Sequence, residues 1–245
     1  MYKRDSYTVL KNKKIAKDVY YMVLGGDTSF ISAPGQFINI EIEGFYLRRP
    51  ISICDWDKES ITIIYKVVGK GTEKMAEMSQ GTVLDILTGL GNGFTIKDGS
   101  VKPLVIGGGV GTPPMYALAK ALIAKGVLPT VILGFTSKED VFGEEEFKAL
   151  GCPVHITTND GSYGTKGFVT DVINTLEDYD YFYTCGPMAM LKAVSKATHT
   201  QGQLSFEERM GCGFGGCMGC SCETLTGSKR ICKEGPVMLK EEILW

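Results

Sequence analysis

Between Gly211 and Cys232 the chain reads G-C-G-F-G-G-C-M-G-C-S-C-E-T-L-T-G-S-K-R-I-C. A stretch this rich in cysteine and glycine has too few apolar side chains to build a core, so it must organise around whatever its sulfurs hold. Cys212, Cys217 and Cys220 carry the C-x4-C-x2-C spacing of plant-type [2Fe–2S] ligation, and Cys222 and Cys232 are both candidates for the fourth thiolate. Four thiolates can converge on one small core only if the backbone wraps tightly. Gly211, Gly213, Gly215, Gly216 and Gly219 permit that wrapping, because glycine accepts positive φ at little steric cost and lets N–H groups face inward. Two plainer readings compete. A structural zinc site usually shows two C-x2-C knuckles, whereas here a four-residue gap comes first and no histidine lies nearby. Disulfides need an oxidising compartment, to which nothing in the sequence points.

A chain of 245 residues suggests one large or two medium domains with a sizeable core. Apolar content of 44% and charged content of 22% are those of a soluble globular protein. A net charge of −2 argues against nucleic acid as a partner. The start, M-Y-K-R-D-S-Y, has no apolar run after its basic residues, so no secretory signal is visible. The longest apolar stretch, at 103–124, is broken by glycines and by Pro113-Pro114 and does not fit a membrane span. The expectation is a soluble, cytoplasmic protein with no membrane segment.

Residues 1–100 read as β structure. Segments 6–10, 18–24, 36–42, 47–54, 61–68 and 82–87 are short and rich in Val, Ile, Tyr and Thr, with glycine, proline and aspartate turns between them. Such spacing predicts an antiparallel barrel or sandwich, interrupted by one helical piece over 72–78. Two loops stand out here. Arg48-Arg49-Pro50-Ile51-Ser52 sets two guanidinium groups beside a rigid proline, and arginine is the side chain best shaped to grip a pyrophosphate; taken alone, two arginines on a solvated edge strand are as ordinary. Tyr65-Lys66-Val67-Val68-Gly69-Lys70-Gly71-Thr72 ends a strand in a glycine turn and opens a helix, whose free N–H groups suit a phosphate. A plain threonine N-cap is the simpler alternative.

From 101 to 203 the period changes. Pro103 to Gly107 is a short apolar strand running into Gly107-Gly108-Gly109-Val110-Gly111-Thr112-Pro113-Pro114 and a helix over 115–124. Strand, glycine loop and helix form the dinucleotide-binding arrangement, and the prolines suit a first helical turn. Strands at 129–135, 154–158 and 180–184 then alternate with helices at 144–150, 167–176 and 187–198, which predicts a parallel α/β sheet. The last of these strands ends at Cys185-Gly186-Pro187-Met188, on the edge where such sheets bind ligands. His155 and His199 are isolated and read as ordinary residues, while Cys54, Cys152 and, by itself, Cys185 read as core thiols.

The succession R-P-x-S, G-K-G-T, G-G-G-x-G-x-P-P and C-G-P-M resembles the ferredoxin–NADP reductase superfamily. With S-F-E-E-R-M-G-C-G-F-G-G-C-M-G-C and R-I-C-K-E-G-P-V added, residues 5–245 resemble the electron-transfer subunits of NAD-dependent type B dihydroorotate dehydrogenases. The resemblance implies an FAD-binding β-barrel (1–100), a nucleotide-binding α/β domain (101–203) and a small [2Fe–2S] domain (204–245). It implies that Arg49, with Pro50, Ile51 and Ser52, holds FAD; that Ile64, Tyr65 and Lys66 line the flavin; and that Gly71 and Thr72 take its phosphates. Gly107, Gly108, Gly109 and Gly111, with Gly186 and Pro187, would face the nicotinamide nucleotide, and Cys185 and Glu207 become candidate catalytic residues. Cys212, Cys217, Cys220 and Cys232 would be the iron ligands, with Cys222 an extra thiol.

A nicotinamide takes two electrons at once as a hydride and a cluster passes one at a time, while a flavin can do both. The resemblance therefore implies a relay. Electrons from the FMN of a catalytic dihydroorotate dehydrogenase subunit cross the cluster to FAD and leave on NAD, in an assembly with two of each chain. No orotate-site residues are identifiable in this sequence. The loop Thr136-Ser137-Lys138-Glu139-Asp140 carries both acids and a lysine, so NAD rather than NADP follows from the resemblance alone. Two other readings compete: a reductase subunit of a sulfhydrogenase, transhydrogenase or glutamate-synthase type of complex, and a zinc-stabilised binding module without enzymatic activity.

Overall fold

The computed structural model describes residues 2–176 and 178–245. The first half alternates apolar and polar residues, and its strands close on themselves: β1 (Lys3–Ala16), β2 (Val19–Gly25), β3 (Phe37–Ile40), β4 (Arg49–Trp56), β5 (Ser60–Lys66) and, after helix α1 (Lys70–Ala76), β6 (Val83–Leu90). They form an antiparallel barrel in the order β1-β2-β5-β4-β3-β6. The inward-facing residues, among them Met22, Ile38, Ile53, Ile63, Tyr65 and Ile86, are almost fully buried and fill its interior.

The second half is built on parallel strands whose apolar runs are buried on both faces. β7 (Pro103–Gly108) is followed by α2 (Thr112–Ala124), β8 (Thr130–Phe135), α3 (Glu144–Ala149), β9 (Val154–Thr158), β10 (Thr165–Lys166), α4 (Val169–Ile173), β11 (Tyr181–Cys185), α5 (Met188–Ala197) and β12 (Gly202–Ser205). The cysteine-rich stretch follows and carries a small hairpin, β13 (Ser221–Thr224) with β14 (Gly227–Arg230), before β15 (Val237–Leu239). The sheet order is β10-β9-β8-β7-β11-β12-β15. Its direction of winding reverses at β7, with β8 on one side and β11 on the other, which is where such sheets bind ligands. β15 lies antiparallel to β12, so the chain leaves this sheet to form the cysteine-rich segment and then returns to its edge.

Among the described residues three ion pairs tie the halves together, one of them between Lys17 and Glu139 at 3.4 Å. Lys120 on α2 holds both oxygens of Asp55 on β4 at 2.7 and 2.6 Å, and Lys66 on β5 reaches Asp140 at 3.4 Å. Pro113 and Pro114 sit in the first turn of α2, where no backbone N–H is needed. No helix among the described residues is long and apolar enough to cross a membrane.

Candidate functional site

Three neighbouring surfaces hold the predicted site residues. On the barrel, the two arginines part company. Arg48 turns to Asp85, bonding its carboxylate at 2.6 Å and its carbonyl at 3.0 Å, and also meets Glu41, so its charge is spent locally. Arg49 instead lays its guanidinium over the Phe45 ring, 4.9 Å from the centroid, and against the first turn of α1. A Cβ on Gly71 would lie 2.2 Å from Arg49 Nε, so only glycine lets the two meet. Thr72 is not the helix cap. Gly69 occupies that position, and the Thr72 hydroxyl accepts from the N–H groups of Val68 and Gly69 at 2.9 and 3.2 Å while donating to the Gly69 carbonyl. That hydroxyl therefore shapes the turn. Pro50, Ile51 and Ser52 pair with Asn39, Ile38 and Phe37 along β3 and are half-buried. Ile64 packs towards the nucleotide domain. Tyr65 points into the barrel, only 1% exposed, with its hydroxyl donating to Asn12, so it meets the outer surface only through its backbone.

The second surface is a cavity of about 600 Å³ at the carboxyl ends of the parallel strands, lined among others by Lys66, Gly108, Thr157, Pro187, Met190 and Glu207. The glycine loop and the Cys185-Gly186-Pro187 corner meet here because side chains are absent. A Cβ on Gly111 would stand 2.3 Å from the Cys185 carbonyl oxygen, and on Gly186 2.5 Å from Met190 Cε. A Cβ on Gly107 would lie 2.8 Å from Thr112 Cα, and Gly109 adopts φ +52. The Thr157 hydroxyl is buried beneath this wall without a protein hydrogen-bond partner. Cys185 is 1% exposed; burial, with Glu207 nearby, pushes its thiol up, so it is a packed, protonated thiol. Glu207 has open surface towards the cavity but is otherwise enclosed by protein, and this burial raises its carboxyl above the usual range.

The third surface is the cysteine-rich segment. Cys217 lies beside Gly211, where a Cβ would stand 3.2 Å from its sulfur; it bears on the Cys212 thiol, and Cys220 on that of Cys232. Burial opposes ionisation of Cys212, but N–H groups of Phe214, Cys217 and Gly216 outweigh it and bring the thiol down to about 6; the Gly216 bond is 3.2 Å long. Cys232 is buried, and burial together with the neighbouring Cys220 pushes its thiol up to about 12. Its N–H faces the Cys220 sulfur at 3.4 Å. Cys222 lies on the hairpin opposite Lys229 and packs on the core. Among the described residues no three ligand-type side chains close up as in a single-ion site. Cys212, Cys217, Cys220 and Cys232 are free cysteines, and together they would supply the four sulfur donors that a [2Fe–2S] core takes. Arg230 braces this loop by donating to the Gly215 carbonyl at 2.6 Å and pairing with Glu234.

Sequence reasoning missed the Lys120–Asp55 and Lys66–Asp140 clamps and the place of Thr157 beneath the cavity wall. The paired residues lie far apart in the chain, and no local pattern marks them.

A flavin-type barrel joined to a parallel sheet with a ligand crevice, and a cysteine-rich loop beside both, defines an iron–sulfur oxidoreductase of the ferredoxin reductase kind. Residues 105–196 match the oxidoreductase NAD-binding domain family, and residues 207–244 match the iron-sulfur cluster binding domain of dihydroorotate dehydrogenase B. The chain is 42% identical to the dihydroorotate dehydrogenase B (NAD(+)) electron transfer subunit of Bacillus mycoides (strain KBAB4), over the whole of both chains. It is 43% identical to that of Shouchella clausii (strain KSM-K16), covering 99% of this chain and 98% of the relative. The chain belongs to this family of electron transfer subunits. Among solved structures it is similar to a chain of the NADH-dependent reduced ferredoxin-NADP oxidoreductase, with a TM-score of 0.89 and 30% identity over 98% of this chain and 90% of that one.

Proposed function

We propose that the chain carries electrons between an FMN-bearing dihydroorotate dehydrogenase catalytic subunit and NAD, with a [2Fe–2S] cluster and FAD between them. The observation that carries this reading is a loop that keeps Cys212, Cys217, Cys220 and Cys232 together, with the N–H groups of Gly216 and Cys232 facing the Cys212 and Cys220 sulfurs, in a chain that also presents a dinucleotide-sized crevice. Flavin chemistry supplies the exchange between two-electron hydride and single electrons. In this reading Arg49 clamps the FAD pyrophosphate against the turn at Gly71, and the Thr72 hydroxyl holds that turn in shape. Ser52, Ile64 and the backbone of Tyr65 border the ring, while Lys66 stands at the junction with the nucleotide domain. Gly107 to Gly111 and Gly186-Pro187 leave their backbone open to the dinucleotide. Glu207 stands at the cavity wall, and Cys185 supports that wall by packing. The working assembly is a cytoplasmic one with two of each chain.

Coexpression with a candidate catalytic subunit tests the reading. The complex should form NADH from dihydroorotate under anaerobic conditions, whereas this chain alone should pass electrons from NADH to a dye and show no dihydroorotate turnover. Cys217→Ser should stop transfer across the complex and leave FAD bound. Dihydroorotate turnover by the lone chain, or transfer surviving in Cys217→Ser, would refute it.

A further inference from the structure

The cysteine-rich segment is fastened to the barrel at both ends, each time by an asparagine. At its start, Asn39 on β3, 1% exposed, donates through Nδ2 to the Cys212 carbonyl at 3.2 Å. Gly213 lies so close that a Cβ there would meet Asn39 Nδ2 at 2.3 Å. At its far end, Asn92 in the loop after β6 makes four bonds to residues 234–237. Its N–H donates to the Gly235 carbonyl at 2.8 Å. Its Nδ2 donates to the carbonyls of Glu234 at 3.1 Å and Val237 at 2.7 Å, and its Oδ1 accepts from the Val237 N–H at 3.1 Å.

Both anchors are stiff. The Asn92 loop is held to the barrel by Gln36, only 5% exposed, which donates to the Gly91 carbonyl at 3.0 Å, and by the Phe94 N–H donating to the Pro34 carbonyl at 2.7 Å. Gly91 leaves no space: a Cβ there would lie 2.6 Å from Pro236 Cδ. On the other side of the latch, the N–H groups of Lys233, Glu234 and Gly235 all converge on the Arg230 carbonyl, a tight turn with Cys232 inside it. A displacement at Glu234 therefore reaches Cys232 within one turn of backbone. Three side-chain bonds from one exposed-loop residue to a distant segment far exceed what closing a turn requires.

We propose that Asn39 and Asn92 are positioning residues that lock the two ends of the Cys212–Cys232 segment to the barrel and so fix its distance from the flavin site. Neither touches a sulfur, so each acts through the backbone it holds. The proposal rests on the reading that this segment carries the cluster and the barrel carries FAD.

The test uses the full chain with both groups loaded and compares Asn92→Ala and the isosteric Asn92→Asp with the unaltered protein. The loss of the two Nδ2 donations, common to both variants, should raise the detached population of residues 234–237 at least about thirtyfold (about 2 kcal/mol for two hydrogen bonds, at tenfold per 1.4 kcal/mol), read as faster amide hydrogen exchange of those residues. Rapid mixing with NADH should show the flavin band bleaching at the unaltered rate and the cluster band bleaching more slowly, with the electron paramagnetic resonance spectrum of the reduced cluster broadened. Asn92→Asp should be as slow as Asn92→Ala, because shape without the two donors does not rebuild the latch. Asn39→Ala serves as the second variant should Asn92→Ala fold poorly, with the same split expected. Unchanged cluster bleaching in variants that retain both spectra overturns the proposal, as does full rescue by Asn92→Asp. An unaltered protein lacking iron–sulfur absorbance would instead overturn the relay itself, so the two failures are distinguishable.

Discussion

Replacing Gly71 by alanine should separate folding from flavin binding. Gly71 lies in the first turn of α1, and the new Cβ would fall 2.2 Å from Nε and 2.5 Å from Nη2 of Arg49. The helix itself gains, since alanine is better than glycine in a helix by up to about 1 kcal/mol. Against this, the guanidinium must leave its seat over Phe45 and its bond to the Leu47 carbonyl, contacts worth about 0.5–1 kcal/mol each. These contributions nearly cancel, so the melting temperature of the flavin-free protein should move by no more than a few degrees. FAD binding has no such compensation. A guanidinium–pyrophosphate contact is a hydrogen bond to a charged group, worth about 1.5–3 kcal/mol, so affinity should fall roughly ten- to hundredfold. Titrating the flavin-free variant with FAD and following flavin fluorescence measures this directly, with the denaturation curve as control. An alanine variant that binds FAD as tightly as the unaltered protein would refute the placement of Arg49 at the phosphates. A large loss of stability would refute the cancellation.

Three further outcomes are expected. Cys232→Ser should lose the visible and paramagnetic signals of the cluster while Cys222→Ser keeps them, because Cys232 sits against the Cys220 sulfur and Cys222 is committed to the hairpin. Gly111→Ala drives a Cβ to 2.3 Å from the backbone carbonyl of Cys185, which cannot swing away as an arginine can; a loss of about 1–3 kcal/mol in urea denaturation and weaker NADH binding should follow together. Burial raises the Glu207 carboxyl in the folded state, so the native protein holds that proton more firmly than the unfolded chain. Stability should therefore fall as pH rises from the ordinary carboxylate range through the raised value. Glu207→Gln should flatten that fall and match the unaltered protein in acid, as followed by denaturation midpoints across pH.

Much of the framework was legible because burial imposes a period. All six expected barrel segments are strands, and the strand–loop–helix at Pro103 to Ala124 stands where the glycines and prolines put it. The misreadings have local causes. β1 extends from Lys3 to Ala16 rather than 6–10, because its lysine-rich second half forms an exposed ribbon with β2 and buries too little to reveal an alternation. β12 and β15 are strands of four and three residues, too short for any period, and their pairing is set by the neighbouring sheet. Composition alone left Arg48 and Arg49 equivalent and only the resemblance singled out Arg49; Arg48 precedes β4, and Asp85 and Glu41 claim it. The threonine of the G-K-G-T turn, an N-cap only in the simpler alternative, is the third residue of α1, and its hydroxyl accepts from the N–H groups of the preceding turn.

The return of β15 to lie beside β12 has a consequence for assembly. Residues 206–236 form an excursion whose two ends are hydrogen-bonded neighbours at one sheet edge, so the entropy of closing that loop is already spent before any iron arrives. Small metal-nucleated domains unfold when stripped; this segment has a folded margin to fall back on. Loss of iron should therefore blank the wire while the barrel and crevice stay intact, and reloading would be a local repair rather than a refolding.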